Sequence, residues 1–345
     1  MNSINHHETV RRLASSVIIV GLLCVCADAM AARPITIKLA TVAPKGSIYH
    51  RVLQEMGEKW RAAQGGGAQF IIYTDGTQGT EADTVRRLRV GQLQASMLTT
   101  VGLMEIERTV VAMQFMPLTY RNYAELDYVL ANIRAPLEEE FRKKGFRVLL
   151  WGMGGWVQFF SDRERITPED YRDAKIFTWA GARDHENIMK SMGYRPIVLD
   201  MSDVLPAVQT GMIDTIPAAP VWALAGQFYK KTPHMLRLNW VPIVGATVLS
   251  NRTWDAMHPK ARDALMEAGA EAELTLRNHR RKFDEGAIEA MRQRGLTVHE
   301  PTPEVTQAWR ALMEPIMLKI RGTLVPAEIF DTVQALLADY RTKGQ

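Results

Sequence analysis

Cysteine is almost missing from this chain: Cys24 and Cys26 are the only two, and both lie in an N-terminal leader-like segment. Once that segment is removed, a disulfide framework, thiolate catalysis and thiolate metal sites are all excluded. Histidine is sparse. Beyond His6 and His7, the residues His50, His185, His234, His258, His279 and His299 never fall into HxH or HExxH spacing, so no metal site is predicted. Each reads as an ordinary surface or core-edge histidine. No GxSxG elbow, Walker loop or GxGxxG turn occurs. A Ser-His-Asp triad assembles only in space, and nothing in the sequence marks one. No catalytic residue, metal or cofactor is therefore predicted, and the protein is not expected to be an enzyme. The net charge of +4 is mild and evenly scattered, which argues against nucleic acid as a partner. After the leader, no apolar run approaches the length needed to cross a membrane.

The leader itself is legible. Arg11-Arg12 precede the apolar run Val17 to Cys26, and small residues follow at Ala27, Ala29 and Ala31. This is the order of a secretory signal: basic, apolar, small-x-small. As a helix the run spans only about 15 Å, half the hydrocarbon thickness of about 30 Å, so an N-terminal membrane anchor is the weaker alternative. Residues 1–31 are read as a signal peptide, and the product as an exported, periplasmic protein with no integral membrane segment after cleavage. With 345 residues, 47% of them hydrophobic, the remainder can bury a large core and form about two domains.

Strand and helix patterns alternate along the chain. Ile35 to Val42 alternates as a strand, and Ser47 can cap a helix from Tyr49 to Ala63 with Val52, Leu53, Met56 and Trp60 on one face. Gly65-Gly66-Gly67 ends that helix, because a phosphate loop would need a following Lys-Ser/Thr and a helix. Gln69 to Thr74 is a second strand. A polar loop through Gly79-Thr80-Glu81 opens a helix at 82–90, and Ala95 to Thr100 is a third strand. A helix at 122–144 carries a solvated charge run. Phe146 to Trp151 is a strand, and Gly152, Gly154 and Gly155 mark a hinge or crossover. After the central stretch come a strand at 241–250, a helical run from Pro259 to Arg294, a short strand at 296–299 and terminal helices over 303–340. The long run far exceeds the mean helix of about twelve residues, and at about 50 Å it is long enough to brace two domains.

The central stretch, Lys175 to Pro220, reads as strand, helix, strand, helix, strand. Such alternation predicts a parallel sheet, which binds ligands outside the carboxyl ends of its strands. Those ends hold Phe177, Trp179 and Ile216-Pro217-Ala218-Ala219. Almost nothing there is charged. Trp151, Trp156, Phe159, Phe160, Trp222 and Trp240 crowd the same strand ends and crossovers. Trp151 and Phe160 read as core, whereas Trp156, Trp179 and Trp222 flank glycines or prolines, where a cleft would lie.

The chain resembles the DctP-type solute-binding proteins of TRAP transporters along essentially its whole mature length. The resemblance rests on Ile37-Lys38-Leu39-Ala40 with Pro44-x-Gly46-Ser47, and on Gly76-Thr77-Gln78-Gly79-Thr80-Glu81, where Gln78 replaces a usual leucine. Pro168-Glu169-Asp170 with Lys175-Ile176 continues it. Most specific is Val204-Leu205-Pro206-Ala207-Val208-Gln209-Thr210-Gly211-Met212-Ile213-Asp214; Phe228-Tyr229, Asn251 and Trp254 follow. The resemblance implies an α/β, two-domain periplasmic binding protein of the Venus-flytrap type. Each domain would be a mixed sheet flanked by helices, with a long helix spanning both. The reading places domain I at 34–154 plus 243–282, domain II at 155–242 plus 283–345, and the ligand cleft between them. It implies capture of a small molecule and delivery to TRAP membrane subunits without ATP.

Three departures qualify the expected ligand. The family's carboxylate-gripping arginine corresponds to Phe177, a second arginine to Val157, and a ligand-binding asparagine to Ala218. A carboxylate buried there would lose its charge-assisted bonds yet keep a desolvation cost of several kcal/mol. The expected ligand is thus hydrophobic or weakly polar. Phe177, Trp179, Trp156 and Trp222 would grip it, with Tyr49, Glu81 or Gln158 supplying hydrogen bonds and Pro217 and Trp240 completing the walls. Arg183 offers an escape, restoring a carboxylate partner in an ordinary organic-acid receptor. The other alternative is a receptor fold that works mainly as a carrier or interaction protein with an envelope partner.

Overall fold

The computed structural model describes residues 35–64, 68–180 and 183–343. The expected signal peptide and the Gly65-Gly66-Gly67 helix exit lie outside them. Thr36 onward forms one compact unit built on two sheets.

The first sheet begins with β1 (Thr36–Thr41), α1 (Ile48–Ala63), β2 (Gln69–Tyr73), α2 (Glu81–Arg89) and β3 (Ala95–Thr99). β1 pairs parallel to both β2 and β3. Ser47 caps α1 through the His50 N–H, and the buried face is Tyr49, Val52, Leu53, Met56 and Trp60, at the helical spacing expected. Thr80 and Asp83 form a reciprocal capping box at the start of α2. A short α3 (Thr100–Leu103), a 3₁₀ turn at Arg108–Met113 and α4 (Tyr123–Lys143) lead into β4 (Phe146–Trp156).

The chain then crosses to the second sheet. Its elements are β5 (Gln158–Ser161), β6 (Lys175–Trp179), α5 (Arg183–Ser191), β7 (Arg195–Leu199), α6 (Met201–Gln209), β8 (Thr215–Ala218), α7 (Pro220–Ala225) and β9 (His234–Leu236). It returns through β10 (Pro242–Ser250), which lies antiparallel between β3 and β4. After α8 (Asn251–Asp255) and α9 (Pro259–Arg292), β11 (Thr297–His299) pairs with β9, and α10 (Pro303–Ile320) and α11 (Ala327–Lys343) end the chain. The sheet orders are β2-β1-β3-β10-β4 and β11-β9-β5-β8-β6-β7. The alternating stretch is the predicted parallel unit: β6 pairs parallel to β7 and to β8.

Two details differ from expectation for physical reasons. β4 does not stop at Trp151 but runs through Gly152 to Trp156, because β10 pairs along its whole length. The strand expected from Met212 begins at Thr215 instead. Gly211 turns at φ 72°, and the N–H groups of Met212 and Ile213 both return to the Ala207 carbonyl, wrapping the end of α6. The short β5 and β9 were not foreseen, since three- or four-residue runs carry no measurable period.

Two backbone hydrogen bonds join the crossings. Val157 N–H donates to Val241 O (2.8 Å) and Trp240 N–H to Val157 O (2.9 Å). The Gln158 amide pairs with Asn239 in both directions, at 2.7 and 3.0 Å. α9 braces this junction, packing on α1, β4 and α7. Gly269 lets it approach β4 closely, for a Cβ there would lie 2.5 Å from Leu149 O. Farther along α9, the buried Asp284 accepts from Tyr123 Oη (2.8 Å) and from the Trp156 N–H. The final helix, within the segment assigned above to domain II, rests on α4: Arg341 grips Glu125 at 2.8 Å, and Tyr128 Oη donates to Asp339 at 2.6 Å.

Gly155 has φ 94° and its Cβ position lies 2.4 Å from Asp284 Oδ1, so Gly155→Ala combines backbone strain with a clash. It should lower unfolding stability by about 2 kcal/mol or more, read as a lower urea midpoint. Burial pushes the Asp284 carboxyl up to about 6. Between its unfolded value near 3.8 and about 6, the folded state holds the extra proton. Its stabilising contribution is complete below that window and is lost as pH rises through it. Asp284→Asn should flatten that component, measured as the wild-type minus variant difference in urea midpoint across pH 4 to 7.

Candidate functional site

The family signature supplies scaffold before it supplies a site. Thr210 Oγ1 bonds back to Pro206 O (3.1 Å), and Lys175 Nζ donates to Gly211 O. Asp214 accepts from the Lys175 N–H at 2.9 Å and the Thr215 hydroxyl at 3.0 Å. The block from Gln209 to Asp214 thus ends α6 and ties the start of β6 to β8. That registration decides where Phe177 and Ala218 project.

Three neighbouring cavities lie here, two of them at the carboxyl ends of β6 and β8 and the third against the first sheet. The central one encloses about 560 Å³, with open solvent at its mouth included, and Val157, Phe177 and Ala218 all stand on its wall. The three positions singled out from the sequence therefore converge on one space. Trp179, Pro217 and Trp222 complete that side, while Thr99 and Ile243 come from the first sheet. A larger space of about 930 Å³, open solvent again included, shares Gln114, Val157, Phe177, Trp179 and Pro217 with it and adds Trp240, Trp309 and His185. A smaller one of about 420 Å³, counted the same way, shares Thr99, Trp222 and Ile243 and reaches Tyr49 and Thr41. Among the described residues, no Lys, Arg, Asp or Glu lines any of the three.

The aromatic wall is a packed set. Phe177 and Trp179 lie 5.4 Å apart. Phe159, Tyr171, Trp240 and Trp309 form mutual contacts between 5.1 and 5.7 Å, and the Trp309 indole donates to Ile166 O (2.9 Å). Such arrays supply broad apolar contact at low entropic cost.

Polar groups in the walls are few and uncharged. Gln114 accepts from the Val244 N–H (3.1 Å) through its carbonyl, which leaves its NH₂ group for an occupant. His185 Nδ1 lies 3.0 Å from Thr178 Oγ1, and burial pushes the imidazole down to about 4, so it is neutral at pH 7. The indole Nε1 of Trp222 is buried without a hydrogen-bond partner. Behind the walls stand acids. Glu81 accepts from the Thr99 N–H and hydroxyl, both at 2.6 Å, and burial raises its carboxyl above the ordinary value despite those bonds.

Of the residues singled out from sequence, Tyr49, Val157, Phe177, Trp179, Pro217, Ala218, Trp222 and Trp240 line these cavities. Three do not. Glu81 is held behind Thr99, Gln158 is engaged with Asn239, and Trp156 packs 5.6 Å from Tyr123. The hydrogen bonds expected of Glu81 and Gln158 are thus already made within the protein, and Tyr49 Oη donates to Met153 O at 3.2 Å. The side chain of Arg183 lies outside the described residues. Sequence reasoning missed Gln114, His185 and Trp309. Each sits on an element with no strand-end signal, and only the long-range fold brings it to the chamber.

Residues 39–322 match the family model of DctP, the bacterial extracellular solute-binding proteins of family 7. Over 316 residues, 89% of this chain and 92% of the relative, the sequence is 23% identical to the C4-dicarboxylate-binding periplasmic protein DctP of Rhodobacter capsulatus. A TRAP periplasmic solute-binding protein of Sulfurospirillum deleyianum, solved with bound succinate, superposes with a TM-score of 0.80 at 20% identity, over 88% of this chain and 99% of that one. Another from Xanthobacter autotrophicus, with bound β-D-galacturonate, gives 0.79 at 16% identity over 88% and 99%. At such identities the superpositions establish a shared two-domain fold.

The His185 environment makes a pH prediction opposite in sign to that of Asp284. A histidine held near 4 in the folded protein, against 6.5 unfolded, contributes stability that is present above pH 6.5 and lost as pH falls toward 4. His185→Gln should remove this dependence, so the wild-type minus variant difference in thermal midpoint should shrink from pH 7 to pH 4.5.

Proposed function

This chain belongs to the DctP family of bacterial extracellular solute-binding proteins, which are receptors and not enzymes, and from that premise we propose that it delivers a small, uncharged, largely hydrophobic ligand to TRAP membrane subunits. The observation that carries the ligand reading is the convergence of Val157, Phe177 and Ala218 on one cavity wall without a charged side chain. Among the described residues, no helix is long and apolar enough to cross a membrane, in keeping with a receptor that works beside separate membrane subunits.

The physical balance favours such a ligand. Enclosing about 250 Å² of apolar ligand surface is worth about 6 kcal/mol, which is offset in part by the entropy of association and closure. A carboxylate in the same place would surrender its hydration with no lysine or arginine among the described lining residues to receive it, at a cost of several kcal/mol. Capture would proceed by closure of the two sheets' lobes about the Val157 and Trp240–Val241 crossings, burying the ligand against Phe177 and Trp179. Space beside these two rings supports a ligand receptor over the carrier reading, in which aromatics would fill the cleft solidly.

The test is direct. Native mass spectrometry of freshly purified protein should reveal a co-purifying neutral compound that organic extraction removes. Calorimetry with succinate and galacturonate should show no binding below millimolar concentration. Phe177→Ala and Trp179→Ala should each weaken the extracted compound by about 10-fold or more. Micromolar binding of succinate would overturn the proposal.

A further inference from the structure

The cleft holds one donor whose partner is missing. Trp222, at the start of α7, places its indole Nε1 in a buried position with no hydrogen-bond partner. Buried donors of this kind are nearly always satisfied, and leaving one unmet is unfavourable. Trp222 lies on the wall shared by the central and the smaller cavity. Gly154 lies beside it: a Cβ there would stand 3.7 Å from Nε1 and 2.9 Å from the Ile243 side chain. Gln114, on the wall common to the central cavity and the aromatic chamber, turns a second donor toward the same space.

Resting on the uncharged-ligand reading above, we infer that the ligand bears a neutral carbonyl oxygen, as in a ketone, ester, lactone or amide, which accepts the Trp222 indole N–H while its apolar ring or chain lies along Phe177 and Trp179 toward the aromatic chamber. Among the described residues the site offers donors without lysine or arginine, and a carbonyl answers a donor without bringing charge. Two acids stand behind these walls. Glu81 is bonded to Thr99 of the wall. Asp284 is held by Tyr123 and lies close behind Gly155, next to Gly154. An ionised carboxylate there opposes an anion at Trp222 more strongly than a neutral dipole, because charge–charge energy is larger and longer-ranged than charge–dipole energy. The pairing also gives Trp222 a role distinct from that of Phe177: one contributes contact area, the other reads a single atom.

Three matched probes test this: acetophenone, ethylbenzene and benzoate, titrated into ¹⁵N-labelled protein while the tryptophan Nε1–H resonances are followed. Acetophenone should bind about 10-fold more tightly than ethylbenzene and shift one indole resonance that Trp222→Phe deletes. In that variant the preference for acetophenone over ethylbenzene should vanish, whatever change in contact area the two probes share. If ethylbenzene equals acetophenone in the wild type, or the preference survives Trp222→Phe, the carbonyl inference fails and the hydrophobic reading stands. Benzoate binding more tightly than both would overturn the inference and the hydrophobic reading together. Failure of acetophenone to bind up to its solubility would overturn the inference.

Discussion

Two backbone hydrogen bonds at Val157, one to Val241 and one from Trp240, hold the two crossings between the sheets side by side. Everything at the cleft depends on them. They set the two sheets against each other where β4 becomes β5 and where the chain returns to β10, and they turn the Val157 side chain into the space between. The Gln158–Asn239 amide pair repeats the tie one residue on. With four such bonds at the junction, the two crossings are tied along adjacent residues, while α9 runs past as a brace.

The electrostatic character of the cleft follows from what surrounds that junction. Carboxyls stand behind the walls at Glu81 and Asp284, each satisfied by donors from the protein itself. The prominent arginines are engaged elsewhere: Arg280 with Asp127 and the face of Tyr123, Arg134 with Glu138 and Glu273, Arg341 with Glu125. The surface thus carries abundant charge, while among the described residues no Lys, Arg, Asp or Glu lines the cleft. Low dielectric walls magnify the difference, because an uncompensated charge there is penalised far more than at the surface.

Much of the scaffold was legible in the sequence because local chemistry decided it. Ser47 and Thr80 cap helices wherever they precede the right pattern, and the apolar face of α1 appears at its spacing. The β6-to-β8 unit was readable for the same reason, with strand periods, a cap and a glycine in succession. Less legible were the donors and acceptors. Glu81 and Gln158 looked available as polar residues near a loop and a strand end, yet both are consumed by Thr99 and Asn239, partners 18 and 81 residues away. Gln114, His185 and Trp309 gave no local sign of facing a chamber.

By itself, the sequence determined an α/β alternation with one long helix, while its resemblance to the DctP family gave the receptor reading and singled out Phe177, Val157 and Ala218. The first rests on periodicity and capping, which are local, and the second on ordered motifs compared with that family. Only the tertiary structure decided that the three positions share one wall, that Trp156 turns to Tyr123 instead, and that the Trp222 indole is left with an unanswered N–H. Hydrogen-bond satisfaction is a sum over neighbours in space, so which polar groups remain free for a ligand is settled only when the sheets close on one another.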